Sequence, residues 1–451
     1  MFGAELPARV LSELADVPAT LPTDEDRFRL TNRLAERNHR EDTGGPFAAL
    51  VVETATGRLV SAGVNLVLWR PGPGTGRQLA PLRHVLRRRD VVRNPAPGHR
   101  RRRPREHLPQ FDGGFVTDLT EFISHLPKCE LHVHIEGTLE PELKFALAAR
   151  NNITLPYADA DEMRAGYAFH DLPSFLACYY EGMSVLLTEA DFYDLAWAYL
   201  NEAKEQNIRY AEIFFDPQAH TSRGITFGTV IRGLRRALMD ARRLLDVRAQ
   251  LVMCFMRDFS AEYAMATLME SLPYQEWIIG VGLDSDERGN PPVKFAAVFA
   301  RARAEGYQLT MHCDVDQENS VDHIRQCLDV IGVDRIDHGV NCLESEELQN
   351  EIKARGLGLT VCPISNSYVL GSTWQDAVCK MLDGGLRVTI SSDDPAYMNG
   401  YVTENLLAVQ ATTPLAPTEL VQLQRNAFEV AWLPDAVKDA YLAELDGYFT
   451  P

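Results

Sequence analysis

LPKCELHVHIE, residues 126–136, decides how this chain reads. It is a short apolar, strand-like run carrying two histidines, His132 and His134, two positions apart. In a strand, residues two apart point to the same side, so both imidazoles can face one axis. Two converging imidazoles repel when protonated and are best explained by a shared cation. A His-x-His pair alone is weak evidence for a metal, and the rest of the chain supplies the context.

Outward from this run, from Phe115 onward, short apolar segments alternate with helical patterns, the signature of a parallel sheet covered by helices. Seven further runs read as strands: 209–215, 249–256, 277–284, 308–314, 335–340, 359–365 and 387–393, with 129–136 as the first. Thr188 and Asp191 form a capping-box signal, after which Phe192, Leu195, Ala196, Tyr199, Leu200 and Ala203 fall on one helical face. The expected fold class is α/β, a (β/α)8 TIM-type barrel over residues 113–451.

A barrel of this kind builds its active site from the C-terminal ends of its strands and the loops that follow. His132 and His134 on the first run, His312 on the fifth, His338 on the sixth, and Asp393 and Asp394 on the eighth stand there. Three imidazoles and one carboxylate (His132, His134, His312, Asp393) suit one zinc ion per chain with a position kept for water. Zinc would lower the pKa of its water toward ~7. His338 is placed to orient or deprotonate that water, Asp393 to accept its proton as well as bind metal, and Asp394 to hydrogen-bond a substrate ring.

At these residues the chain resembles the adenosine and adenine deaminase family of the amidohydrolase superfamily. The segments are LPKCELHVHIEGTLEPEL at 126–143, GVGLD at 280–284, RIDHGV at 335–340, VCPISN at 361–366 and ISSDDPAY at 390–397. The resemblance implies hydrolytic removal of ammonia from a 6-aminopurine, with the same six residues in the same roles and Gly282 at the substrate. Family members that act on nucleosides commonly carry Asp two past the second histidine and adenine deaminases carry Glu, so Glu136 leans toward adenine. FFDPQAHTSRGI at 214–225 leans the same way.

One departure matters. The family usually carries His-Ala-Gly-Glu on the fifth strand, its Glu protonating purine N1. Here the run is His312-Cys313-Asp314-Val315-Asp316. Asp316 is expected to supply the acid, with Asp314 as the alternative. A reshaped loop beside N1 and C6 leaves open an N6-substituted adenine or another aminated heterocycle, and a purine-binding protein without turnover is the reading from another class.

At 451 residues, a large domain plus something smaller is expected. The N-terminal run GGPFAALVVETATGRLVSAGVN, 44–65, resembles the opening of cytidine and guanine deaminase-like domains. Their His-x-Glu and Pro-Cys-x-x-Cys motifs do not follow, so residues 1–68 read as a truncated α/β fragment without zinc or activity. Between Arg70 and His107 twelve arginines face two acidic residues among several Pro and Gly, an Arg/Pro-rich linker (69–112) expected to be disordered. The net charge of −18 argues against a nucleic-acid binder and fits an uncharged or weakly charged small substrate, which the resemblance makes a purine. Eight scattered cysteines lack a Cys-x-x-Cys pair and suggest neither a disulfide framework nor a four-cysteine zinc site. No apolar run reaches the roughly 20 residues of a membrane span. The start, MFGAELPARV, lacks a secretory pattern, so a cytoplasmic location is the expectation.

Overall fold

The computed structural model describes residues 48–52, 59–64, 111–112 and 118–450, apart from 168, 170, 314–318 and 371–375. The chain divides into two units, Met1–His99 and Arg100–Pro451. In the first, Ala48–Val52 pairs antiparallel with Leu59–Val64. The linker at 69–112 lies outside the described residues except for Phe111–Asp112, which pairs in parallel with Phe449–Thr450.

The second unit is a (β/α)8 barrel. Its strands are β1 (Lys128–His134), β2 (Ile208–Phe215), β3 (Arg248–Met256), β4 (Ile278–Asp284), β5 in two pieces (Gln308–Leu309 and His312–Cys313), β6 (Arg335–His338), β7 (Gly358–Val361) and β8 (Arg387–Ile390). Neighbours pair in sequence order and in parallel. Across the break in β5, Thr310 N donates to Val281 O at 3.0 Å and Asp337 N to Met311 O at 2.9 Å, so both neighbours are kept. The ring closes at Asp393, whose N donates to His132 O (3.0 Å) and whose O accepts from His134 N (2.9 Å).

Several strands end earlier than their apolar runs. Glu136 opens a 3-10 turn, Glu136–Thr138, and Val340 opens another, Val340–Glu344. Ser365 sits in the helix Pro363–Leu370 rather than on β7. The run at 387–393 stops being a continuous strand at Ile390. The physical reason is local. His338 (φ +56°) and Gly339 (φ +69°) leave the extended region, and Pro363 presets the backbone for a helical first turn.

Helices clad the barrel. α1 (Leu172–Gly182) starts at a capping box in which Asp171 accepts from Ser174 N at 2.9 Å. α2 (Glu189–Glu205) starts at the expected Thr188–Asp191 box and buries the expected face of Phe192, Leu195, Ala196, Tyr199, Leu200 and Ala203. A cap of this type contributes about 1 kcal/mol, whereas each buried Leu or Phe contributes about 1.5–3 kcal/mol. The apolar stripe therefore decides where α2 sits. Inside the barrel, Phe214, Val252 and Cys254 form a small apolar cluster. Beside it Arg335 pairs with Glu212, and its guanidinium lies 4.1 Å over the Trp432 ring. Among the described residues no helix is long and apolar enough to cross a membrane.

Candidate active site

The strand alternation puts Glu130, His132 and His134 on one side of β1, all buried. His312 opens the second piece of β5, and Asp393 follows β8 with φ +65°. The structure brings the four expected ligands together: one donor atom from each of His132, His134, His312 and Asp393 lies within 4.8 Å of the others. His134 Nε2 is 3.1 Å from His312 Nε2, and Asp393 Oδ1 is 3.0 Å from His132 Nε2 and 3.5 Å from His134 Nε2. A tetrahedral site with bonds of about 2.0–2.1 Å places its donors roughly 3.3 Å apart, so this set fits a divalent cation.

Electrostatics favour the same reading. Burial pushes His134 down to about 3 and, with its neighbouring histidines, holds His312 well below the usual imidazole range, leaving lone pairs for a cation. Burial acts on His132 too, but Asp393 outweighs it and raises that ring. Against its own burial, Asp393 is held well below the usual carboxylate range by His132, His338 and His134.

Simple alternation would turn His338 away from the barrel interior that Arg335 and Asp337 face. Its positive φ returns it to the cavity, where Nε2 lies 3.8 Å from Asp393 Oδ2. Burial lowers this imidazole to about 4, so it is neutral near pH 7. His338, Asp393 and Ser285 (φ +76°) all line the cavity with left-handed backbones, each a cost of about 1–3 kcal/mol that the surrounding packing holds in place.

Asp394 also lines the cavity, and its Oδ1 is buried without a hydrogen-bond partner among the described residues. Burial and the neighbouring Asp393, Asp284 and Glu136 push its carboxyl well above the usual range. Gly137 makes room for it. A Cβ there would lie 2.0 Å from Asp394 Oδ1 and 2.7 Å from its Cα.

Two other sequence candidates sit differently. Glu136 is fully buried and outside the cavity lining; its Oε1 accepts from His220 Nε2 at 2.8 Å and from Asp216 N at 3.2 Å. Gly282 is not in the lining either, and a Cβ at this position would meet Cys254 Sγ at 2.7 Å, so its bareness serves packing between β3 and β4. Asp314 and Asp316 lie outside the described residues.

The structure adds residues that sequence reasoning passed over. Asp216 and Asp284, at the C-terminal ends of β2 and β4, line the cavity with Ser285, Glu287 and Asn366. The rule that found the histidines, a polar residue ending an apolar strand, also applies to these two carboxylates. Burial raises both, helped at Asp216 by the neighbouring Glu136 and at Asp284 by Asp216. The opposite wall is apolar: Leu172, Phe175 and Leu176 from α1, and Met398.

Residues 127–448 match the sequence profile of the adenosine deaminase family. The chain belongs to that family. An uncharacterized deaminase of Schizosaccharomyces pombe is 53% identical over 334 residues, covering 74% of this chain and 98% of the relative. An adenine deaminase of Geotalea uraniireducens is 50% identical over 336 residues, 74% of this chain and 94% of the relative. The crystal structure of an adenine deaminase from Arthrobacter aurescens superposes with a TM-score of 0.69 at 42% identity, covering 71% of this chain and 98% of that one. Membership makes this member of the adenosine deaminase family a hydrolytic deaminase, which sets aside a purine-binding protein without turnover.

Proposed function

We propose that the chain is a zinc-dependent hydrolytic deaminase of adenine. The observation that carries the reading is the convergence of His132, His134, His312 and Asp393, three nitrogens and one oxygen, at the mouth of a closed barrel. Such a donor set suits zinc, and a zinc ion held there would lower the pKa of water to about 7.

The protein's own groups do the rest. His338, neutral and beside Asp393, takes the proton of the water attacking C6, and Asp393 assists as a second acceptor. Asp394, with its raised carboxyl protonated, donates to N7. Asp316, or Asp314 in its place, protonates N1 as the C6 carbon becomes tetrahedral, and His338 hands the proton taken from the water to the amino group, which leaves as ammonia as the C6–N bond breaks. Glu136 acts through Asp216 and His220, without touching substrate, and Gly282 acts by admitting Cys254.

Adenine rather than a nucleotide is supported by charge. The described cavity lining holds Asp216, Asp284, Glu287, Asp393 and Asp394 and neither Lys nor Arg, so no cationic Lys or Arg side chain stands in it to pair with a phosphate. The apolar wall of Leu172, Phe175, Leu176 and Met398 favours a second reading, an adenine with an alkyl group on N6. Residues 1–68 are proposed to be a deaminase-like remnant without metal, a reading carried by their sequence alone.

One experiment separates these readings: zinc content of the purified chain, followed by amine release from adenine, adenosine, AMP and N6-methyladenine. Turnover of adenine with AMP inert is expected. Preferential release of methylamine establishes the second reading, and a chain active on AMP refutes the charge argument.

A further inference from the structure

The family reading assigns the donors but leaves a second question open: what orients the imidazoles. A histidine that binds a metal through one ring nitrogen is aimed by the partner of the other. Asp337, the residue before His338 on β6, is fully buried and faces the barrel interior directly beneath the donor cluster. Its Oδ1 accepts from Thr360 Oγ1 at 3.0 Å, and Thr360 Oγ1 lies 2.9 Å from His132 Nδ1. Because the Thr360 hydroxyl spends its only hydrogen on Asp337, its oxygen must accept from His132 Nδ1–H. That fixes the tautomer and leaves the His132 Nε2 lone pair facing Asp393.

The other oxygen serves a second donor. Asp337 Oδ2 accepts from Thr310 Oγ1 at 2.6 Å and lies 3.7 Å from His312 Nδ1, a nitrogen without a hydrogen-bond partner among the described residues. One carboxylate on β6 thus stands behind a histidine of β1, through β7, and behind a histidine of β5. Arg335, on the same face of β6, has Nε 3.7 Å from Asp337 Oδ1 and pairs with Glu212, so the negative charge of Asp337 is compensated below and directed at the imidazoles above.

We propose that Asp337, with Thr360 as its relay, is a positioning residue for the metal centre, holding His132 and His312 in their metal-binding tautomer and orientation. This rests on the zinc reading above and goes beyond it, since neither residue touches metal or substrate. Losing such a partner typically weakens metal affinity by roughly 10–100-fold.

The test uses the full chain with Asp337→Asn, Thr360→Val and Thr360→Ser. Zinc affinity is read by competition with a chromophoric chelator, and the cobalt(II)-substituted proteins give visible spectra that report donor geometry. Asp337→Asn and Thr360→Val should lose roughly 10–100-fold in zinc affinity and shift the cobalt bands, while Thr360→Ser, which keeps the hydroxyl, stays near wild type. Circular dichroism and thermal unfolding monitor the fold. Thr360→Val leaves the Arg335 pairing untouched and carries the test if Asp337→Asn does not fold. Wild-type zinc affinity in folded Thr360→Val overturns the inference while leaving the metal reading intact. A wild-type chain that binds no zinc overturns both.

Discussion

Gly137→Ala adds one methyl group, and the structure gives its consequence in distances. The new Cβ would stand 2.0 Å from Asp394 Oδ1 and 2.7 Å from Asp394 Cα. Ordinary contact begins at 3.4 Å, so the carboxyl must swing away and the Asp394 backbone must retreat by about 0.7 Å, the shortfall at Cα. Gly137 has an ordinary φ and the helical turn it occupies accepts alanine, so the effect is steric rather than conformational. Asp394 stands immediately before a short helix, Pro395–Met398, whose residues are all buried, and it cannot withdraw freely. A misplacement of roughly 1 Å at a reacting geometry costs on the order of 100-fold in rate, and overpacking costs about 1–3 kcal/mol in stability. The expected outcome is a folded, zinc-replete enzyme with kcat/KM for adenine lowered about 100-fold and unfolding shifted by about 1–3 kcal/mol. Steady-state kinetics, zinc content and urea unfolding measure the three quantities. Unchanged turnover in a folded variant would refute the role given to Asp394, and lost zinc would show that the clash propagates to Asp393 instead.

Two further outcomes follow from buried charge. Lys144 is 2% exposed, donates to Tyr167 and Tyr397 hydroxyls, and is lowered by burial to about 8. Since its folded pKa lies below its unfolded value, the unfolded chain binds the extra proton between pH 8 and about 10.4, and stability contributed at this site rises with pH across that window. Lys144→Met should therefore gain on wild type at pH 7 and lose the advantage by pH 10 in paired urea titrations; a pH-independent difference sinks the argument. Glu136→Ala strips the acceptor from buried His220 and should destabilise the fold by about 1–3 kcal/mol, whereas Glu136→Gln keeps an amide oxygen for both bonds and should unfold close to wild type.

Much of the barrel was readable because its signals are repeated and local. All eight strands appear where apolar runs stood, and α2 buries the six residues its period marked. Strand ends were misread where an apolar sequence continues past a change of backbone, as at Ser365, because hydrophobicity does not record a positive φ or a helix start. The clustering of His132, His134, His312 and Asp393 was readable because a histidine ending an apolar strand has few structural uses. Asp216 and Asp284 were missed although they obey the same rule, since single carboxylates commonly cap helices. Gly282 and Glu136 show the converse: a motif names a position, but only packing tells whether it meets the cavity or a neighbour such as Cys254 or His220.

The closure of the ring at Asp393 has a kinetic meaning. Asp393, the carboxylate of the proposed donor set, is also the residue whose backbone joins the last strand to the first, across 261 residues of sequence. The complete donor set therefore waits for the last strand to meet the first, because the fourth arm arrives with that long-range contact. Long-range closures form late and slowly. Metal capture should act as a latch on the finished ring rather than a nucleus for it: added zinc should slow unfolding while leaving the rate of refolding unchanged.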